Sequence, residues 1–139
     1  MSDEGRLVAG RYRLVHRIGT GAMGVVWQAR DERLNRVVAV KQVLLQTGLS
    51  QDEIEEALER VQREGRIAAK LHHPNAVTVF DVVDDDDAPW LVMEYVPSQS
   101  LAAVMKERGA LPPLEVAAIG AQIAAALAAA HAAGIVHRD

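Results

Sequence analysis

Residues 19–26 read Gly-Thr-Gly-Ala-Met-Gly-Val-Val, and their glycine spacing is the most informative pattern in the chain. Glycines spaced as G-x-G-x-x-G let backbone approach phosphate oxygens closely, although glycines in a hairpin more often serve only its turn. A dinucleotide-binding fingerprint needs its last glycine to open a helix, whereas Gly24 opens a β-branched run. A Walker A loop is excluded because no Gly-Lys-Ser/Thr follows. The pattern therefore predicts a flap between two strands.

Strands around this flap are predicted from period-two alternation and from turn residues. The first three strands are expected at residues 11–17, 24–30 and 36–43, which makes a β-meander. Two more are expected at 76–83 and 90–96, joined by an acidic turn through Asp84, Asp85, Asp86 and Asp87.

A helix is predicted between the third and fourth strands. Ser50 and Glu53 form a capping box that opens it, and it can run to about residue 71 before His73-Pro74-Asn75 stops it. Its inner stripe follows steps of three and four residues. The stripe is expected to contain Ile54, Ala57, Val61, Glu64, Ala68 and Leu71.

The last part of the chain is predicted to be helical. A short linker at 97–100 leads into a helix over 101–108, which Gly109 ends, and Pro112-Pro113 introduces an alanine-rich helix over 114–133. We expect these two helices to begin a second lobe that the chain does not complete.

The fold class is therefore α+β. We divide the chain into a loosely held start at 1–10, a small lobe of five antiparallel strands and one helix at 11–96, and a linker with the first helices of the second lobe at 97–139.

Lys41 is the first candidate for phosphate binding. Alternation along the third strand places it on the same face as Ala39. A small residue beside a long cation suits a flat ring packed over Ala39 and an ammonium group that reaches its phosphates. The alternative is a lysine that extends into solvent from the end of a strand, which is the commoner fate of lysines.

Glu64 is the candidate partner of Lys41. It lies on the predicted apolar stripe, where an ionised carboxylate is costly unless it is paired. The alternative is a glutamate at the edge of the stripe that reaches water. With Lys41 available on a facing strand, we favour the ion pair.

Two further motifs complete the candidate site. The apolar strand at residues 91–96 runs directly into Pro97, and backbone groups that leave a strand edge can hydrogen-bond an adenine edge, although the same pattern is typical of any buried strand. His137-Arg138-Asp139 is too short to be specific alone, but it follows a long helix and Gly134-Ile135-Val136.

Composition narrows the classes of function. The chain has a formal net charge of −4 and no basic run, which argues against a nucleic-acid or membrane-surface partner. It has no cysteine, and the run of aspartates lacks EF-hand spacing, so no metal site is predicted within it. No signal peptide opens the chain, and no uninterrupted apolar run is long enough to span a bilayer. A cytoplasmic location is expected, and the alternative is that the parent protein is anchored to a membrane through a segment outside this chain.

From residue 11 onward the chain resembles the eukaryotic-like (Hanks-type) serine/threonine protein kinases of bacteria. The resemblance implies the protein-kinase fold, with a glycine-rich loop over ATP, Lys41 on the α- and β-phosphates, Glu64 as its ion-pair partner and Asp139 as the catalytic base. Met93 resembles the gatekeeper, and Glu94 and Val96 resemble the hinge contacts to adenine. The nucleotide-binding residues implied are Ile18, Gly19, Thr20, Gly21, Ala22, Met23, Gly24, Val25, Val26, Ala39, Lys41, Met93, Glu94 and Val96.

The implied reaction is transfer of the ATP γ-phosphoryl group to a protein hydroxyl, with Mg²⁺. The residues that hold Mg²⁺ in this family follow Asp139, so the 139-residue chain is expected to be inactive alone and to self-associate through its unfinished lobe. Ser98, Gln99 and Ser100 replace residues that many relatives use at the hinge and ribose. One alternative is a pseudokinase or regulatory module that binds nucleotide without catalysis. Another is a structural fragment that folds poorly because its second lobe is unfinished.

Overall fold

The computed structural model describes residues 3–21 and 24–136. In chain order, the elements are β1 Leu7–Val8, β2 Tyr12–Gly21, β3 Gly24–Asp31, β4 Arg36–Gln42, α1 Gln51–Ala68, β5 Val79–Asp85, β6 Ala88–Glu94, α2 Leu101–Arg108 and α3 Pro113–Ala132. The chain divides into two compact units, one of residues 1–70 and 78–95 and the other of 71–77 and 96–139.

In the first unit the strands form one antiparallel sheet in the order β1-β2-β3-β4-β6-β5. The sheet curls, because the segment before β1 contacts the turn at its other edge. Arg6 pairs with Asp85 and Asp86, and the Ala9 amide donates to Asp85 Oδ1 at 2.8 Å. The curled sheet encloses the core, which is formed by Val8, Tyr12, Leu14, Trp27, Ala29, Val38, Val40, Trp90 and Val92.

A buried carboxylate fixes one end of this sheet. Asp31 at the end of β3 is fully buried and accepts hydrogen bonds from the Arg11 guanidinium at 2.9 and 2.8 Å. The backbone N–H groups of Arg33 and Leu34 also donate to it. Because each of these bonds favours the ionised form, the pKa of Asp31 falls from 3.8 to about 2, and the Arg11 bond is the largest cause.

The helix α1 packs on the other face of the sheet, against β5 and β6. Its capping box is present as expected, since the Ser50 side chain accepts from the Glu53 amide and the Glu53 carboxylate accepts from the Ser50 amide. Only Ala57 and Gly65 of this helix are buried. Ile54, Leu58, Val61 and Ala68 are partly buried, and the two small buried residues let the helix approach the sheet closely.

In the second unit, α2 and α3 have the predicted boundaries within one residue. Ser100 caps α2 by accepting from the Ala103 amide at 3.1 Å, and Gly109 ends it with a positive φ of 74°. Arg108 and Glu115 join the two helices by a bidentate pair at 2.8 and 2.9 Å. Large apolar side chains of α3 are exposed, with Leu114 at 87% and Ile123 at 50%.

The prediction of α+β architecture is confirmed, with three differences of detail. The sheet has six strands where five were expected, because Leu7–Val8 forms β1. Val8 is fully buried and Arg6 is ion-paired, so residues 6–8 are not loosely held. The acidic turn is shorter than expected, since Asp84 and Asp85 still belong to β5 and only Asp86 and Asp87 turn, both with positive φ.

A further difference concerns α3. Its mean hydropathy reaches 1.6 over 18 residues, so by length and composition alone it would suffice to cross a membrane. No such segment was expected, because no uninterrupted apolar run of the sequence is long enough to span a bilayer. The average is high because ten of its 20 residues are alanine, which is modestly apolar but repeated.

Candidate functional site

Lys41 shares one face of the sheet with three other residues predicted to bind nucleotide, Val26, Ala39 and Met93. The register pairs Lys41 with Val26 on β3 and with Leu91 on β6, and it pairs Ala39 with Met93. Residues paired directly across antiparallel strands project from the same face. Ala39 is 4% exposed, and Lys41 is half-buried. The face therefore offers an apolar surface that ends at an ammonium group, which suits a flat ring followed by anionic groups.

Glycine stands at positions 24 and 19 of the flap for two different reasons. Gly24 has a φ of 130°, and a Cβ there would overlap the carbonyl oxygen of Gln42, so the fold itself requires glycine. A Cβ at Gly19 would meet nothing within 4 Å, and the φ of Gly19 is not positive. Since the protein does not require glycine at position 19, the missing Cβ there leaves room for a group outside the chain.

The side chains around these glycines do not all face the same way. Ile18 is 43% exposed, and Thr20 is exposed beside it. Val25 packs against the core cluster, whereas Val26 pairs with Lys41 on the opposite face. Of the residues predicted to bind nucleotide, Val25 could thus contribute only its backbone.

Glu64 does not occupy the position expected from the stripe pattern. It is exposed, and the next residue, Gly65, takes the buried position against Val82 and Leu91. Among the described residues, no ion pair of 4.0 Å or less joins Glu64 to Lys41. The two residues are nevertheless on neighbouring elements, because Leu91 pairs with Lys41 and also lies against α1 at Gly65.

Glu94, at the end of β6, is held by Thr78. The Glu94 amide donates to the Thr78 carbonyl at 2.8 Å, and the Thr78 amide donates to the Glu94 carboxylate at 3.1 Å. An adenine contact at Glu94 would therefore have to use its carbonyl oxygen. Val96 is 46% exposed and belongs to the second unit.

The acidic turn contacts both the start of the chain and α1. Arg6 binds Asp85 and Asp86, and Gln62 Nε2 of α1 donates to Asp84 Oδ1 at 3.0 Å. Beyond this hydrogen bond, a groove of about 760 Å³ separates the arginines of α1 from the turn. Within residues 3–21 and 24–136, no cluster of three or more His, Asp or Glu side chains is arranged to hold a metal ion.

Three predicted site residues, Ala22, Met23 and Asp139, lie outside the described ranges. Two structural contacts of the first unit were not predicted from the sequence. Arg6 gave no signal, because its partners are about 80 positions away, and Gly65 was overlooked although a glycine inside a helix often marks a close approach.

Comparison with known proteins shows which family shares these features. The sequence model of the protein kinase domain matches residues 12–139. A probable serine/threonine-protein kinase of Clostridium perfringens is 41% identical over 138 residues, and PrkC of Bacillus subtilis is 39% identical over 135 residues. Each of these matches covers 97% of this chain, but only 19% and 20% of the relative.

Two mycobacterial relatives match the chain over a similar length. PknA of Mycobacterium tuberculosis is 41% identical over 140 residues, covering 97% of this chain and 32% of PknA. The crystal structure of the M. tuberculosis PknI kinase domain superposes with a TM-score of 0.83 at 33% identity, covering 100% of this chain and 54% of the PknI chain. The chain therefore spans about half of a solved kinase domain and a smaller share of the whole relatives.

Proposed function

Because the chain belongs to the protein kinase domain family, we propose that it forms the ATP-binding lobe and the first large-lobe helices of a serine/threonine protein kinase. The observation that carries the proposal is the shared sheet face of Val26, Ala39, Lys41 and Met93 beside a flap whose Gly19 the fold does not require. The serine/threonine specificity is inferred from the names of the relatives.

In this proposal the adenine ring packs against Ala39 and Val26, and its edge bonds the Glu94 carbonyl and the Val96 amide. The Lys41 ammonium binds the α- and β-phosphates, and the flap backbone covers the rest of the phosphate chain. Lys41 is half-buried and has no carboxylate partner among the described ion pairs, so its charge is available to an anionic ligand.

The proposed reaction rests on the family resemblance. The hydroxyl oxygen of a protein serine or threonine forms a bond to the γ-phosphorus while the bond from that phosphorus to the bridging oxygen breaks, and ADP leaves. The hydroxyl proton passes to the Asp139 carboxylate, a role that rests on the family resemblance. Mg²⁺, when bound, neutralises charge on the β- and γ-phosphates, and the family's ligands for it would follow Asp139.

Binding of a non-hydrolysable ATP analogue to the 139-residue chain tests the nucleotide site. We expect Lys41→Met to weaken binding at least about tenfold, since it removes a charge-assisted contact to phosphate. Lys70→Met is the matched control, because Lys70 is an exposed lysine of the same unit away from the predicted site. Equal binding by wild type and Lys41→Met, or absence of binding by wild type, would contradict the proposal.

Phosphoryl transfer needs the whole protein. We expect it to label serine or threonine in a generic protein substrate with ATP and Mg²⁺, as phosphoamino-acid analysis would detect. Labelled tyrosine alone would contradict the specificity. Nucleotide binding without any transfer would support the alternative, a pseudokinase or regulatory module.

Two further parts of the proposal concern location and association. ATP is supplied in the cytoplasm, so the chain is proposed to lie there, as fractionation of cells would test.

The exposed apolar residues of α3, among them Leu114 and Ile123, support self-association of the isolated chain and not a membrane contact. Ile123→Glu should therefore lower the apparent mass measured by sedimentation at high concentration, whereas insertion of the chain into lipid vesicles would contradict this.

A further inference from the structure

The sheet face proposed to bind nucleotide also carries a polar residue, Gln28 of β3. Gln28 pairs with Ala39 of β4, and Ala39 pairs on its other side with Met93 of β6. The neighbours of Gln28 along β3, Trp27 and Ala29, belong to the core. Successive residues of a strand point to opposite faces, and directly paired residues point to the same face. Gln28 therefore projects from the face of Ala39, away from the core.

Ala39 forms a low point between two longer side chains. It is 4% exposed and carries a single methyl group, whereas Gln28 and Met93 on its two sides are half-buried. The Cβ atoms of directly paired residues are about 5 Å apart. A flat ring packed over Ala39 would therefore meet Met93 along one edge and Gln28 along the opposite edge. The first of these edges is apolar, and the second offers a carboxamide.

The carboxamide of Gln28 is not used by the fold. Within residues 3–21 and 24–136, no group forms a hydrogen bond with it, and His16, which pairs with Gln28 on β2, is exposed and does not bind it. A half-buried amide has lost part of its contact with water, so a ligand that supplies a partner regains a hydrogen bond. Gln28 is available to such a ligand.

The place of Gln28 along the sheet decides which part of a nucleotide it can meet. Lys41, the proposed phosphate contact, lies two residues beyond Ala39 on β4, whereas Gln28 lies directly beside Ala39. Gln28 is therefore at the base and not at the phosphates. The backbone contacts proposed for adenine use its exocyclic amine and one ring nitrogen. The polar atoms that remain on the base are the ring nitrogens N3 and N7, which only accept, and the Gln28 side-chain N–H is a matching donor.

We propose that Gln28 is a base-recognition residue whose side-chain N–H donates a hydrogen bond to a free ring nitrogen of adenine. This inference rests on the proposed function. It adds one side-chain contact to a recognition of adenine that otherwise depends on backbone groups and on apolar packing.

The test measures the dissociation constant of ADP for the whole protein by titration calorimetry. ADP has no γ-phosphoryl group to transfer, so binding alone is observed. Gln28→Met keeps an unbranched side chain of similar length and removes the amide. We expect it to weaken ADP binding about fivefold, the usual effect of losing one hydrogen bond.

Two modified nucleotides identify the atom on the base. In 3-deaza-ADP and 7-deaza-ADP one ring nitrogen is replaced by C–H, which removes the acceptor. Wild type should bind one of the two about fivefold more weakly than ADP. Gln28→Met should bind that nucleotide as tightly as it binds ADP, because both changes remove the same bond, whereas the other nucleotide should lose affinity on substitution as ADP does.

Two further variants serve as checks. Gln28→Leu removes the amide with a different side-chain shape and should give the same result as Gln28→Met. His16→Ala removes the exposed side chain that pairs with Gln28 on β2, and it should leave the affinity for ADP within about twofold of wild type.

The outcomes separate this inference from the proposed function. If wild type binds no ADP, the proposed function fails, and the role of Gln28 fails with it. If wild type binds ADP but both Gln28 variants bind it equally well, the role of Gln28 alone is wrong. An equal loss for ADP and both deaza nucleotides would also overturn it, since Gln28 would then shape the face without bonding a ring nitrogen. Unchanged binding of both deaza nucleotides by wild type would overturn it without any variant.

Discussion

Gly65 of α1 lies directly against Val82 of β5, so that a Cβ at position 65 would overlap Val82 Cγ2 and lie 3.6 Å from Leu91 Cδ2. This contact sets the distance between α1 and the sheet. It also explains why α1 approaches β5 and β6 at this point, where a larger side chain would separate the helix from the face that carries Lys41.

Gly65→Ala should therefore destabilise the first unit. Alanine gains about 1 kcal/mol in helix propensity over glycine, but overpacking typically costs about 1–3 kcal/mol, and the overlap with Val82 is severe. We expect a net loss of about 1–2 kcal/mol in the free energy of unfolding, measured by urea denaturation.

Gly120→Ala is the matched control for this substitution. Gly120 is also inside a helix, but a Cβ there would meet nothing within 4 Å. It should stabilise the chain by about 0.5–1 kcal/mol, because glycine loses more backbone entropy than alanine on folding. If both variants gained stability equally, close packing at position 65 would be disproved.

Substitutions of the two flap glycines, Gly24 and Gly19, should affect folding and nucleotide binding differently. Gly24→Ala combines a strained φ of 130° with overlap of the Gln42 carbonyl, so it should lower the free energy of unfolding by about 2 kcal/mol or more. Gly19→Ala should leave stability within about 0.5 kcal/mol of wild type but weaken binding of an ATP analogue. Thermal melts and titration calorimetry on both variants measure the two effects, and unaffected binding by Gly19→Ala would argue against close approach of phosphate.

Asp31 should give the chain a defined loss of stability in acid. Its folded pKa of about 2 lies below the usual aspartate value of 3.8, so its contribution is complete above pH 3.8 and is lost as pH falls towards 2. At about 1.4 kcal/mol per pKa unit, the contribution is about 2 kcal/mol at neutral pH.

The Asp31→Asn variant should therefore lose about 2 kcal/mol at pH 7, and its unfolding free energy should depend less on pH between 4 and 2. Glu32→Gln is the control, because Glu32 pairs with Arg13 where both side chains are more than 40% exposed, and such pairs contribute at most about 1 kcal/mol. Equal losses for the two variants in denaturation curves at several pH values would contradict the buried-pair interpretation.

Much of the fold could be read from the sequence, because its signals are local. The capping box at Ser50, the glycines that end α2 and α3, and the alternation in β3 and β4 all act within a few residues. The strand β1 could not, since two residues carry little periodicity and their order depends on Arg6 binding a turn about 80 positions later.

In the candidate site, too, local sequence patterns predicted some positions and not others. Strand parity was enough to place Ala39 and Lys41 on one face. The period of apolar residues along α1 was not enough to place Glu64, because positions 64 and 65 fit steps of three and four residues equally well. The space beside Val82 determined that residue 65 faces the sheet. A tertiary contact, which no local pattern records, decided which residue faces the sheet.

Glu94, which we propose as a hinge contact to adenine, offers a test of main-chain recognition. Its amide and carboxylate are both engaged with Thr78, so only its carbonyl is proposed to meet adenine. Glu94→Gln keeps an acceptor oxygen for the Thr78 amide and should leave the affinity for adenosine analogues within about twofold of wild type. Complete loss of competition by such analogues, with an unchanged melting temperature, would show that the carboxylate itself binds the ligand.

The 139-residue chain alone should bind nucleotide but not transfer phosphate. Phosphoryl transfer depends almost entirely on positioning and on charge stabilisation, and Mg²⁺ supplies much of the latter. In this family the residues that hold Mg²⁺ follow the position of Asp139, and the 139 residues do not include them. Loss of metal placement should reduce turnover by many powers of ten. An assay with ATP, Mg²⁺ and a generic protein substrate measures it, with Lys41→Met as the background, and turnover clearly above that background would show that the residues after Asp139 are unnecessary.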